Sequence, residues 1–313
     1  MKLFHLSVIF SVLCSFTAPV FASSSSWHGR ILRADDETSM TFEQLTSALS
    51  TAEIVVLGEK HYTPALQAAQ GEIIKAVVRE QRREGNFTTA WEFLNASSQE
   101  ETKHLFSLVV SGKITAVQFL EMTQGADSSS YAPVIEATKE LGGDFIGVNL
   151  SRQEKSPVSR GGIGAADPKL IPPGFAYGSP GYHERFVDIM SAHVPPEKMQ
   201  NYYDAQCLTD DVMAYQLIQS STKPLRFLVV GSFHSDYFDG TVGRITARAP
   251  GQRTVTIRLI DASDYTQAEL QEGFRDPKYG ALADYLYFVN EPSEAPRLSR
   301  SMSQNVQDFL GIR

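Results

Sequence analysis

Glu59, His61, Glu92, Asn149 and His234 are the residues whose types and placement could do chemistry. Each lies at or just beyond the end of a short apolar run. Gly58-Glu59-Lys60-His61 follows Glu53–Leu57, Glu92 lies in Phe87–Phe93, Asn149 follows Asp144–Val148, and Gly231-Ser232-Phe233-His234 follows Leu225–Val230. Two imidazoles and two carboxylates suit a divalent metal, with Glu59, His61, Glu92 and His234 as ligands, or a general acid–base pair. No standard catalytic signature accompanies them. His183-Glu184 lacks a second histidine, because position 187 is Val187, and there is no GxSxG, P-loop, post-strand GxGxxG or CxxCH.

The apolar runs read as buried strands, and the stretches between them have helical spacing. Thr63-Pro64 marks a helix start, with Thr63 as N-cap and Pro64 in the first turn. Leu66, Ala69, Ile73, Ile74 and Val77 follow on one face, and Gly85 closes the element. Further helices are expected at 97–110, 114–123, 131–141, 183–192 and 198–220, and later strands at Thr254–Ile260 and Tyr285–Val289. Strands alternating with helices predict an α/β fold, a mainly parallel sheet flanked by helices, with right-handed crossovers and an additional helical segment. In such sheets ligands bind beyond the carboxyl ends of the strands, so the five polar residues can converge on one cleft. The glycines at 58 and 231 would let the chain turn sharply there. Residues 156–181 are rich in glycine and proline, which argues against packed structure and for a functional or mobile segment.

The chain has 313 residues, a formal net charge of −8 and two cysteines. The acidic balance argues against a nucleic-acid surface. Two cysteines are too few for a disulfide framework, a thiolate zinc site or an iron–sulfur cluster. Residues 1–22 read as a signal peptide: Lys2, then the apolar run Leu6–Phe16, then Val20-Phe21-Ala22 with cleavage after Ala22. The run is short for a membrane span, which needs about 20 residues, and Leu13 before Cys14 is too large for a lipoprotein signal. The expected organisation is a leader at 23–48, an α/β domain at 49–290 and a polar tail at 291–313. The expected location is outside the inner membrane, in the periplasm or at the outer-membrane periphery.

Gln206, Asp210 and Met213 share one face of the helix near 206–214. Spacing alone favours a solvated face beside core residues Leu208, Val212 and Tyr215. Read together, several pieces resemble the ChaN family of haem-binding proteins, in the superfamily of Tiki proteases and erythromycin esterases. These are Gly58-Glu59-x-His61, Glu92, Gly112 with Phe119, Tyr131-x-Pro133, Asn149, Gln206-x-x-x-Asp210-x-x-Met213-Ala214, and Gly231-x-x-His234 with Tyr237 and Gly240. The resemblance covers about residues 50–247. It implies haem binding for iron acquisition, through a tyrosinate, with two haems shared across a homodimer and an outer-membrane uptake receptor as partner. Candidate ligands are Tyr62, Tyr131, Tyr177 and Tyr237, with Asn149, Gln206, Asp210 and Met213 as further cofactor-binding positions. The wider superfamily implies an alternative, a metal-dependent hydrolase. There Glu59 or Glu92 would act as base, His61 as a second base or metal ligand, and His234 as metal ligand or oxyanion stabiliser.

Overall fold

The computed structural model describes residues 27–290; the signal-peptide reading and the tail at 291–313 lie outside them. Eight strands form one sheet in the order β2-β1-β8-β7-β3-β6-β4-β5. The strands are β1 (Ile31–Arg33), β2 (Ser39–Met40), β3 (Ile54–Glu59), β4 (Phe87–Asn95), β5 (Asp144–Asn149), β6 (Leu225–Gly231), β7 (Thr254–Asp261) and β8 (Tyr285–Val289). From β5 across to β8 every pairing is parallel, and β1 and β2 join antiparallel at the far edge.

The helices are α1 (Phe42–Ala48), α2 (Pro64–Glu80), α3 (Gln99–Val110), α4 (Ala116–Gln124), α5 (Ala132–Glu140), α6 (Arg152–Gly161), α7 (Pro180–Met190), α8 (Pro196–Gln219), α9 (Gly240–Arg248) and α10 (Gln267–Glu272). They cover both faces of the sheet, which is why its central strands are apolar throughout rather than alternating. In β3, Val55 and Leu57 join the core that includes Ile73 and Val77 of α2, whereas Ile54 and Val56 join the core that includes Leu217 of α8 and Val242 of α9. None of the helices among the described residues is long and apolar enough to cross a membrane.

The expected central strands and helices are present, with shifts of a few residues at their ends. Two stretches differ. Residues 27–48, expected as a leader, supply the edge hairpin β1–β2 and α1, and Trp27, Leu32 and Ala34 pack with Leu286 and Phe288. The glycine- and proline-rich stretch begins as helix α6, which opens with a capping box between Ser151 and Glu154 and continues through Pro157. Farther on, it is tied down by Arg248, which donates to Pro173 O (3.0 Å) while its fork holds Asp211 (2.7 and 2.5 Å).

Candidate functional site

The four strands expected to converge do so, because β3, β6, β4 and β5 are consecutive and parallel. Register places Glu59 of β3 directly beside Gly231 of β6. On the other side of β6, β4 continues past Glu92 to Asn95, and its register with β5 shifts between Trp91 and Asn95. That irregularity lies next to Glu92, where bulges commonly re-aim a side chain. Glu92 Oε2 accepts from the Gly231 backbone N–H at 2.6 Å.

His61 lies between the two carboxylates. Its Nδ1 is 3.2 Å from Glu59 Oε1 and its Nε2 is 3.1 Å from Glu92 Oε1. Ionised carboxylates only accept, so both ring nitrogens must donate and the ring is an imidazolium. Burial alone would lower the His61 pKa, but Glu92 and Glu59 outweigh it and carry it up to about 10. Burial would raise Glu92, yet the His61 cation brings it down to about 2. Glu59 also accepts from the Gln67 amide and the Tyr131 hydroxyl. Burial and the neighbouring Glu59 push the Tyr131 phenol well above its ordinary range.

Glycine serves this site through close approach rather than a turn. A Cβ on Gly231 would sit 2.6 Å from His61 Nε2, and one on Gly58 would sit 2.2 Å from Ser235 Oγ. The left-handed turns fall instead on Tyr62 (φ 55°) and Tyr237 (φ 63°), a backbone state that non-glycine residues keep only where surroundings over-determine it. Thr63 occupies the N-cap of α2, but its hydroxyl makes no cap bond and donates to His61 O at 3.4 Å.

The face of α8 expected to be solvated is buried, with Gln206, Asp210 and Met213 at 5%, 0% and 0% exposure. Asp210 accepts from His234 Nδ1 (2.6 Å), Tyr182 Oη (2.5 Å) and Thr241 Oγ1 (2.8 Å), and Gln206 donates to Tyr182 Oη at 3.0 Å. Burial would lower the His234 pKa, but Asp210 raises it. Met213 packs in the core with Leu228 and Val230. Asn149 is nearly buried and turns its Oδ1 to the Leu150 N–H at 2.7 Å.

The tyrosines separate by position. Tyr131 is 1% exposed, with its hydroxyl committed to Glu59. Tyr62 is part-buried, stacked on Phe93 at 5.4 Å and 20° and 6.2 Å from the His61 ring. Tyr177 is exposed and stacks on Tyr203, and Tyr237 lies under the Arg185 guanidinium at 4.5 Å. Neither is joined to the His61 cluster by a bond or ring contact among the described residues. Tyr182 and Thr241 are functional-network residues that sequence reasoning missed; Tyr182 offered a signal only as a helical residue after the Ser179-Pro180 helix start.

The divalent metal is not supported. The described residues contain no group of three or more His, Cys, Asp or Glu able to hold one, and the two His61 nitrogens have no lone pair to offer while both donate. The protonation pattern also bears on proton transfer. A histidine protonated up to about pH 10 and a carboxylate near 2 are poor bases at neutral pH. The cluster is suited to holding charge and fixing the loop that carries Tyr62.

A family model described as haem-binding uptake, Tiki superfamily, ChaN matches residues 45–245. Among solved structures, a Campylobacter jejuni ChaN described as binding haem cofacially is 21% identical, with TM-score 0.63, over 82% of this chain and 96% of that one. The type III effector HopBA1 is 12% identical (TM-score 0.46, 86% of this chain and 100% of that one). An erythromycin esterase is 15% identical (TM-score 0.39, 85% and 82%). No curated protein matches.

Proposed function

Because the chain belongs to the ChaN family of the Tiki superfamily, we propose that it binds haem at the carboxyl ends of β3, β6 and β4, with Tyr62 as the iron ligand. Part-exposed Tyr62, held on a left-handed turn beside the His61 cation, is the observation that carries this choice. Tyr131 is already spent on Glu59, and Tyr177 and Tyr237 stand apart from the cluster. The site fits the group: Phe93 and Tyr62 offer aromatic surface, and a phenolate oxygen is an established donor to haem iron. When bound, the haem would supply a ferric centre for that oxygen. The chain's own part is to orient the phenol and to place a positive charge next to it.

The proposal extends to biology. The protein is exported by its leading segment with cleavage after Ala22, acts outside the inner membrane in haem or iron acquisition, and exchanges haem with an outer-membrane uptake receptor. It forms a homodimer that brings two haems face to face, in line with the cofacial binding described for the Campylobacter jejuni protein.

Hemin titration of the purified protein tests the core of this reading. A saturable Soret shift with a tyrosinate-to-iron charge-transfer band is expected. Tyr62→Phe should abolish that band and weaken binding at least tenfold, whereas Tyr177→Phe and Tyr237→Phe should leave it. No Soret change, or a band that survives in Tyr62→Phe, would refute it. Light scattering with and without hemin tests the dimer.

A further inference from the structure

Lys155 lies in the first turns of α6, directly after β5, the strand next to β4 in the sheet, and is half-buried. Its ammonium makes no hydrogen bond or ion pair with any described residue. The nearest acid of the site acts on Lys155 only electrostatically: Glu92 is turned to His61 through Oε1 and to the Gly231 N–H through Oε2, and forms no ion pair with the ammonium. Glu154, its chain neighbour, is occupied in the capping box with Ser151 N at 2.6 Å. Burial accordingly pulls the Lys155 pKa down, with Glu92 and Glu154 only partly offsetting it.

A half-buried cation without a partner costs free energy that a bound anion would recover. An ammonium is a compact point charge suited to one carboxylate oxygen rather than to a planar bidentate grip. The other charges of the cluster are already matched, with His61 between two carboxylates and His234 on Asp210. Lys155 is therefore the charge left over for a ligand.

We propose that Lys155 is a specificity residue that pairs with a carboxylate on the edge of the bound tetrapyrrole, selecting for free propionates over esterified ones. This rests on the haem reading above. No covalent step is involved.

The experiment is a double comparison: wild type and Lys155→Met, each titrated with hemin and with hemin dimethyl ester and followed at the Soret band. Wild type should bind the ester about tenfold or more weakly than hemin, as expected for loss of a charge-assisted contact. Lys155→Met should weaken hemin by a similar factor and show no further loss with the ester, the signature of a shared interaction. Lys155→Arg should retain hemin affinity within about threefold, and circular dichroism should show all variants folded. Equal binding of hemin by wild type and Lys155→Met, or an ester penalty that persists in Lys155→Met, would overturn the assignment while leaving haem binding intact. Absence of any Soret change in wild type with either ligand would overturn the haem reading, and this assignment with it.

Discussion

The two Gly-x-x-His strand exits have the same spacing and lie side by side in the sheet, yet they build opposite environments. His61 sits between two carboxylates at the crevice surface, with its side chain 17% exposed. His234 is 6% exposed and held from beneath by Asp210, itself gripped by Tyr182 and Thr241. One histidine is a cation presented to whatever enters; the other is an internal strut between β6 and α8. The glycines are reciprocal: Gly231 on one strand makes room for the His61 exit, and Gly58 on the other makes room for Ser235 beside His234. A shared Gly-x-x-His spacing therefore does not define a role; the partner delivered by the rest of the fold does.

Removing the cation should have the largest effect. His61→Ala leaves Glu59 and Glu92 buried and facing each other, and breaking a buried pair this way costs about 3 kcal/mol or more, measurable by urea unfolding. A ΔΔG below about 1 kcal/mol would show that the two histidines differ less than their geometry indicates. Asp210→Asn should cost about 1.5–3 kcal/mol, because the charge-assisted bonds from His234, Tyr182 and Thr241 use both carboxylate oxygens and an amide can accept at only one of the two positions. Unlike His61→Ala, it should leave the Tyr62 environment undisturbed, as read by hemin spectra.

Gly231→Ala and Gly58→Ala should each destabilise by about 1–3 kcal/mol through overpacking. Only Gly231→Ala should lower the His61 pKa, followed by NMR titration, because its Cβ presses on the ring. Equal perturbation of His61 by both would erase the reciprocity.

The pH dependence is the finest discriminator. The folded-state pKa of His61, about 10, is above its unfolded value near 6.5, so its contribution is complete below about pH 6.5 and is lost as pH rises through about 10. Glu92, about 2 when folded, lies below its unfolded value near 4.3. Its contribution is complete above that value and is lost as pH falls toward 2. Thermal scans should therefore show a plateau between about pH 4.3 and 6.5, with an alkaline slope that His61→Ala flattens.

Much of this arrangement was legible in the sequence. Apolar runs ending in Glu59, His61, Glu92 and His234 identify the strands, and parallel α/β topology brings their ends together. The Asp210 face was not legible, because helical spacing is the same whether polar groups meet water or a buried histidine that lies 24 residues farther along the chain. The β1–β2 hairpin escaped because strands of three and two residues carry no periodicity. Tyr131 was noticed as a tyrosine, but its bond to Glu59 spans 72 residues and no local pattern announces it. Lys155 was invisible for a simpler reason: an unpaired charge is defined by what the neighbouring acids are already doing.

The edge pairing has a consequence for how the molecule is made. Apart from its short partner β2, strand β1 has one sheet neighbour, β8, some 250 residues away. A ribosome-bound chain that has extruded everything up to β7 still lacks the strand that joins its beginning to its sheet. Until β8 emerges, β7 keeps an open edge and Trp27, Leu32 and Ala34 lack the Leu286 and Phe288 they pack against. Closure of this edge of the sheet is thus a late event in synthesis.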